Sequence, residues 1–100
     1  MNDTRLNDFI TILKKKITKA GLNLELLEQN TLSDGVVNFS YDGMQIGRIY
    51  FGKRTSKIQV IFSDNVEWFN NKDFDFYVSK IDLWIEYLTD ILNRLNTMEV

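Results

Sequence analysis

Residues 36–62 read VVNFSYDGMQIGRIYFGKRTSKIQVIF, and this stretch decides the fold. Within it, Asp42-Gly43 separates two runs rich in β-branched and aromatic residues, a combination typical of a β-hairpin with a two-residue turn. A second turn at 52–56 leads into another run of the same kind. The stretch therefore predicts three antiparallel strands joined as a meander, at 36–41, 44–51 and 57–62.

A helix is predicted on the N-terminal side of the meander. Apolar residues recur there at spacings of three and four, which places them on one helical face; they are Leu6, Phe9, Ile10, Leu13, Ile17 and Ala20. Gly21 suits the left-handed position that ends many helices. The next residues, 22–29, begin with the apolar–polar alternation of a strand, but Leu27 breaks it. A fourth strand and a short helix are both compatible with this segment.

A second helix is predicted from about residue 76 to residue 95, after a connection at 64–75. Its apolar stripe consists of Val78, Ile81, Ile85, Leu88, Leu92 and Leu95. Because an antiparallel sheet commonly packs one face on a core, both helices are expected on that face. The sequence predicts one α+β domain over residues 1–100, a two-layer sandwich of order α-β-β-β-β-α with three to four strands. Its core is expected to include Leu13, Ile49, Ile61, Ile85 and Leu88.

The residue inventory argues against catalysis, because the chain contains no histidine and no cysteine. Histidine is the commonest general acid–base group, and cysteine is the most reactive thiol nucleophile. The two together are also the usual ligands for zinc and iron–sulfur centres. The carboxylates, lysines and tyrosines that are present fall into no catalytic motif. The sequence therefore predicts a protein that is not an enzyme and that holds no cofactor and no metal.

Charge and hydropathy indicate the expected compartment and partners. The formal net charge is −2, whereas a general nucleic-acid binder usually has a net basic domain. No apolar stretch approaches the ~20 residues that a transmembrane helix needs. The N-terminal residues also lack the cationic and apolar pattern of a signal peptide. Together with the absence of cysteine, these features predict a cytoplasmic protein with no membrane partner.

Two segments are candidates for binding a protein partner. Asp82, Glu86 and Asp90 are spaced by four residues on the second helix, which places them on its polar face with only Arg94 positioned to neutralise one of them. The connection 64–75 contains Trp68 and Phe69 beside acidic residues that include Glu67. Exposed aromatic rings often dominate binding energy, and carboxylates steer association. The alternatives are a solvated acidic ridge and aromatic rings that close one end of the core.

A third candidate is a basic cluster around the second turn. Arg48 lies on the preceding strand, and Lys53, Arg54 and Lys57 lie in or beside the turn. Clustered cations with neighbouring backbone and hydroxyl donors can bind phosphate, although the P-loop spacing is missing. The alternative is a solvated turn whose charges keep the sheet soluble.

The function that the sequence favours is a small protein-binding module. The expected setting is a phage or mobile element, where such a protein masks a partner's surface as an inhibitor or immunity protein does. The alternative is a nucleic-acid-binding accessory protein that uses the basic turn. A third possibility is a structural subunit or a homodimer.

Overall fold

The computed structural model describes residues 3–98 as a five-stranded antiparallel sheet with two helices packed on one face. Each strand pairs with the strands next to it in the chain, so the sheet is a continuous meander. This confirms the predicted α+β sandwich, with five strands in place of three or four. The elements are α1 (Arg5–Lys19), a 3-10 turn (Leu24–Leu26), β1 (Leu27–Thr31), β2 (Val37–Tyr41), β3 (Met44–Phe51), β4 (Ser56–Ile61), β5 (Val66–Asn70) and α2 (Phe74–Met98).

Two segments differ from their sequence-based prediction. Residues 22–29 contain both predicted alternatives, a short helix and a strand, because the 3-10 turn leads directly into β1. The prediction of an irregular connection at 64–75 is wrong, since most of its first half forms β5. The strand does not show apolar–polar alternation, because two aromatic residues, Trp68 and Phe69, are adjacent in it. Their side chains point to opposite faces of the sheet, which a strand at the sheet edge can accommodate.

The core is centred on Trp84 of α2, which lies flat against β3. A side chain at Gly47 would meet the indole ring, since an ideal Cβ there lies only 2.2 Å from it. The indole Nε1–H donates a hydrogen bond of 2.7 Å to the carbonyl oxygen of Gln59, so the buried polar group is satisfied. The rings of Phe9 and Phe39 pack around it, with centroids 5.5 and 5.7 Å away. This cluster joins both helices to the middle of the sheet.

The predicted core is correct for Leu13, Ile49 and Leu88, which are fully buried. Ile85 is half-buried and packs against the same cluster. The placement of Ile61 in the core is wrong. Buried Ile58 and Val60 take the inward positions of β4, and strand alternation therefore directs Ile61 to the opposite face.

Both helices begin at the end of the sheet that carries the β3–β4 turn, and they run side by side in the same direction. At the start of α1, the Arg5 guanidinium lies 5.1 Å from the ring centroid of Phe51 and donates to the carbonyl oxygen of Gly52. Its hydrogen bond to Asp3 also lowers the pKa of that carboxyl to about 2. At the start of α2, the Tyr77 hydroxyl is hydrogen-bonded to Ser56. Over residues 3–98, neither helix is long and apolar enough to cross a membrane.

Candidate functional site

The last strand of the sheet, β5, pairs only with β4 among the strands of residues 3–98. Phe69 lies opposite buried Ile58, so the side chains of Glu67 and Phe69 point to the helical side. Those of Val66, Trp68 and Asn70 point to the open face of the sheet. The sequence-predicted Glu67, Trp68 and Phe69 therefore occupy both sides of one edge strand.

The backbone of β5 leaves alternate hydrogen-bonding groups free of β4. The N–H of Asn71 donates to the carbonyl oxygen of Ser56, and that of Phe62 donates to Asn65, each at 2.8 Å. Because hydrogen-bonded and non-bonded pairs alternate in an antiparallel ladder, the intervening bonds to β4 belong to Glu67 and Phe69. The N–H and C=O groups of Val66, Trp68 and Asn70 consequently point away from the sheet.

On the helical side of β5, a groove of about 450 Å³ lies between the β4–β5 turn and the second half of α2. Its half-buried apolar lining includes Phe62 and a stripe of α2 residues spaced by four, Leu83, Tyr87 and Ile91. Its exposed charged residues are Asp64, Glu67, Glu86, Asp90 and Arg94. Four carboxylates and one guanidinium give the groove a formal charge of −3.

The predicted acidic ridge of α2 is divided between two surroundings. The Lys16 ammonium of α1 lies 2.7 Å from the Asp82 carboxylate, so the expectation that only Arg94 could neutralise this ridge is wrong. Glu86 and Asp90 line the groove instead. The reason is that four residues advance a helix by about 40° beyond a full turn, which separates Asp82 from Asp90 by about 80°. The ion pairs within residues 3–98 are Lys16–Asp82 and Arg5–Asp3, so neither includes a carboxylate of the groove.

The two aromatic side chains of β5 have different surroundings. Trp68 is 40% exposed, and the Lys57 ammonium lies 5.0 Å from its ring centroid on the open face. Phe69 is half-buried, with its ring centroid 5.4 Å from that of Phe76 and the Lys80 ammonium above both rings. Trp68 is thus available to a partner, while Phe69 helps to close the core.

The predicted basic cluster is spread over one hairpin. Arg48 and Lys57 lie on the open face, where Arg48 donates a hydrogen bond of 3.1 Å to the Asn38 side chain. Lys53 and Arg54 are exposed in the turn between β3 and β4. The structure brings Lys57 to Trp68 and leaves the two turn residues at the end of the sheet. Within residues 3–98, no three acidic side chains are grouped as a metal site would require.

The groove and the edge strand were not predicted from the sequence, although each leaves a local signal. The stripe of Leu83, Tyr87 and Ile91 runs beside the main apolar stripe of α2, as expected for a helix with a second apolar surface. The run Ser63-Asp64-Asn65 between two β-rich segments is typical of a hairpin turn.

No protein family, curated protein or solved structure matches this chain.

Proposed function

We propose that this protein binds another protein through the β5 edge surface, defined as Val66, Glu67, Trp68, Glu86 and Asp90. One observation carries the proposal: an exposed tryptophan and three carboxylates without an ion pair in residues 3–98 border the same edge strand. A module of this kind acts by covering its partner's surface, as inhibitors and immunity proteins do.

The chemistry of the surface defines the partner that it fits. Desolvation of Trp68 supplies binding energy, because tryptophan is among the residues that dominate interface hot spots. The charge of the groove attracts a basic partner and speeds its association. The partner surface is therefore expected to carry lysine or arginine beside an apolar patch.

A capture experiment with matched baits tests the proposal. The immobilised wild-type protein is compared with Glu86→Lys/Asp90→Lys, which reverses two charges in the groove. The control is Glu25→Lys/Glu28→Lys, which makes the same change in net charge at exposed residues near the opposite edge. Host lysate is applied with and without nuclease, and retained proteins are identified by mass spectrometry.

The expected result is one protein that the wild type and the control retain, that the groove variant loses, and that nuclease does not remove. Equal retention by the groove variant would show that the β5 edge surface is not the interface. Circular dichroism of all three baits checks that each is folded, so that a loss of capture reports on the surface.

A second candidate function, binding to single-stranded nucleic acid, has a separate observation in its favour. Arg48 and Lys57 share the open face with Tyr50 and Trp68, and aromatic rings beside cations can stack nucleic-acid bases. Few cations imply few phosphate contacts, so binding to a labelled oligonucleotide is expected to be weak at physiological salt. Submicromolar affinity that Arg48→Glu/Lys57→Glu abolishes would favour this function over protein binding.

A further inference from the structure

We propose that the partner is held as an added β-strand: an extended segment of it pairs antiparallel with the outer edge of β5 and places basic side chains toward the acidic groove. This inference rests on the proposed protein-binding function and specifies how the partner is recognised.

The backbone of β5 provides the first half of the site. The outward N–H and C=O groups of Val66, Trp68 and Asn70 form a row to which a partner strand can add, as in β-augmentation. The side chains at this edge leave it open to such pairing, because Val66 and Trp68 are 51% and 40% exposed and apolar. A proline or a charged residue directed outward would block the edge, and β5 contains neither on its open face.

The side chains around β5 provide the second half of the site and select its occupant. Residues of an added strand alternate between the two sides of the sheet. Those that point to the open face meet Val66 and Trp68, which favours apolar partners. Those that point to the helical side near Glu67 meet the groove, whose formal charge of −3 favours lysine or arginine. Farther along β5, Lys80 covers Phe69, so the basic positions of the partner belong toward the β4–β5 turn.

A second copy of this chain fits the same edge less well. If two copies paired antiparallel with Trp68 opposite Trp68, the residues that follow β5 in one copy would lie beside the groove of the other. That part carries Lys72 and Lys80 but also Asp73 and Asp75, so its charges cancel and the groove keeps its negative surplus. A basic segment neutralises that surplus directly.

The test uses a synthetic peptide of four Lys-Val repeats with blocked ends, followed by amide hydrogen exchange of the full-length protein. At a free peptide concentration of ten times Kd, exchange at Val66, Trp68 and Asn70 is expected to slow by about tenfold, since about one-eleventh of the protein remains free. A Glu-Val peptide of equal length is the charge control and is expected to leave these amides unchanged.

Two N-methylated peptides test the backbone pairing itself. If lysines face the groove, valines lie opposite Val66 and Trp68, and their N–H groups point at β5. Methylation of the valine nitrogens is therefore expected to abolish protection, whereas methylation of the lysine nitrogens leaves it intact. Equal protection by both peptides, or none from the unmodified peptide, would overturn strand pairing. Protection that rises with protein concentration alone would identify a second copy as the occupant and overturn the basic segment.

The capture experiment also distinguishes a failure of strand pairing from a failure of the proposed protein binding. Val66→Pro removes an outward N–H at the first residue of β5, a position where proline is tolerated. Its side-chain control is Val66→Ala. Loss of the captured protein with Val66→Pro alone supports strand pairing. Retention by Val66→Pro, together with loss by Glu86→Lys/Asp90→Lys, would overturn strand pairing and leave the proposed protein binding in place.

Discussion

The two edge strands of the sheet, β1 and β5, expose the same kind of backbone but carry different side chains. In β1 the bonds of Leu32 to Val36 and of Asp42 to Leu26 place alternate N–H groups outward, at Leu27, Gln29 and Thr31. After half-buried Leu27, however, every residue of β1 is polar and exposed. The equivalent row on β5 lies between an exposed tryptophan and an acidic groove. Backbone exposure is therefore common to both edges, and the side chains are what distinguish β5 as the edge of the proposed binding surface.

The surroundings of the two edges also differ. Near β1, a hydrogen bond of 2.9 Å from the N–H of Asn23 to the Tyr41 hydroxyl fixes the segment that precedes the strand. Beside β5, the half-buried stripe of Leu83, Tyr87 and Ile91 forms part of an open groove. The comparison shows that two edges with the same outward backbone groups can differ in the side chains and grooves that surround them.

The largest expected effect concerns Trp84, at the centre of the core between the two edge strands. Trp84→Ala removes the ring that fills the space above Gly47 and joins both helices to the sheet. Such a loss is expected to cost ~3–5 kcal/mol, which lowers Tm by about 12 °C or more in a domain of this size. A thermal melt measures it. A cost below ~1 kcal/mol would contradict the assignment of Trp84 to the centre of the core.

The next effect separates the two sides of β5. Phe69→Ala removes a half-buried ring that packs on Phe76, and it is expected to destabilise the fold by about 1–3 kcal/mol, less than a fully buried ring. Trp68→Ala removes a ring that is 40% exposed and contacts Lys57 on the open face, so its cost is expected to be smaller than that of Phe69→Ala. Denaturant melts of both variants give these values, and binding kinetics should show faster partner dissociation only for Trp68→Ala. The reverse ranking in stability would contradict the assignment of Trp68 to the open face.

A smaller effect tests the backbone equivalence of the two edges. In the free protein, the outward amides of Val66, Trp68, Gln29 and Thr31 are expected to exchange about tenfold or more faster than their bonded neighbours, because no acceptor within residues 3–98 holds them. The slow neighbours are Glu67 and Phe69 on β5, and Glu28 and Asn30 on β1. Amide exchange followed by nuclear magnetic resonance resolves each residue. Uniform exchange along β5 would show that its register differs from the one described.

The smallest effect distinguishes the paired carboxylate of α2 from those in the groove. A double-mutant cycle with Lys16→Ala and Asp82→Ala is expected to give a coupling of about 0.2–1 kcal/mol, since exposed ion pairs contribute little. The matched cycle with Lys16→Ala and Glu86→Ala should give none within error. Chemical denaturation supplies the four free energies of each cycle. Equal coupling in both cycles would mean that Lys16 does not discriminate between the two carboxylates.

Much of the fold could be predicted because its determinants are local. The spacing of apolar residues specifies α1 and most of α2, and Asp42-Gly43 specifies the β2–β3 turn, where Asp42 and Gly43 have φ of 50° and 83°. β5 was missed because an edge strand with both faces partly solvated carries no strict apolar alternation. Ile61 was misplaced because a shift of one residue reverses every side chain of a strand.

The sequence by itself determined the α+β class, the meander and the helical faces, since these follow from the identities of residues close together in the chain. Only the tertiary structure decided that Asp82 pairs with Lys16, that Glu67 lines one groove with Glu86 and Asp90, and that Trp68 is exposed on the outermost strand of the part of the chain described. The two outcomes on α2 depend on how that helix packs on the sheet, chiefly through Trp84 on Gly47. This packing joins residues that are distant in the chain, so no local pattern encodes it.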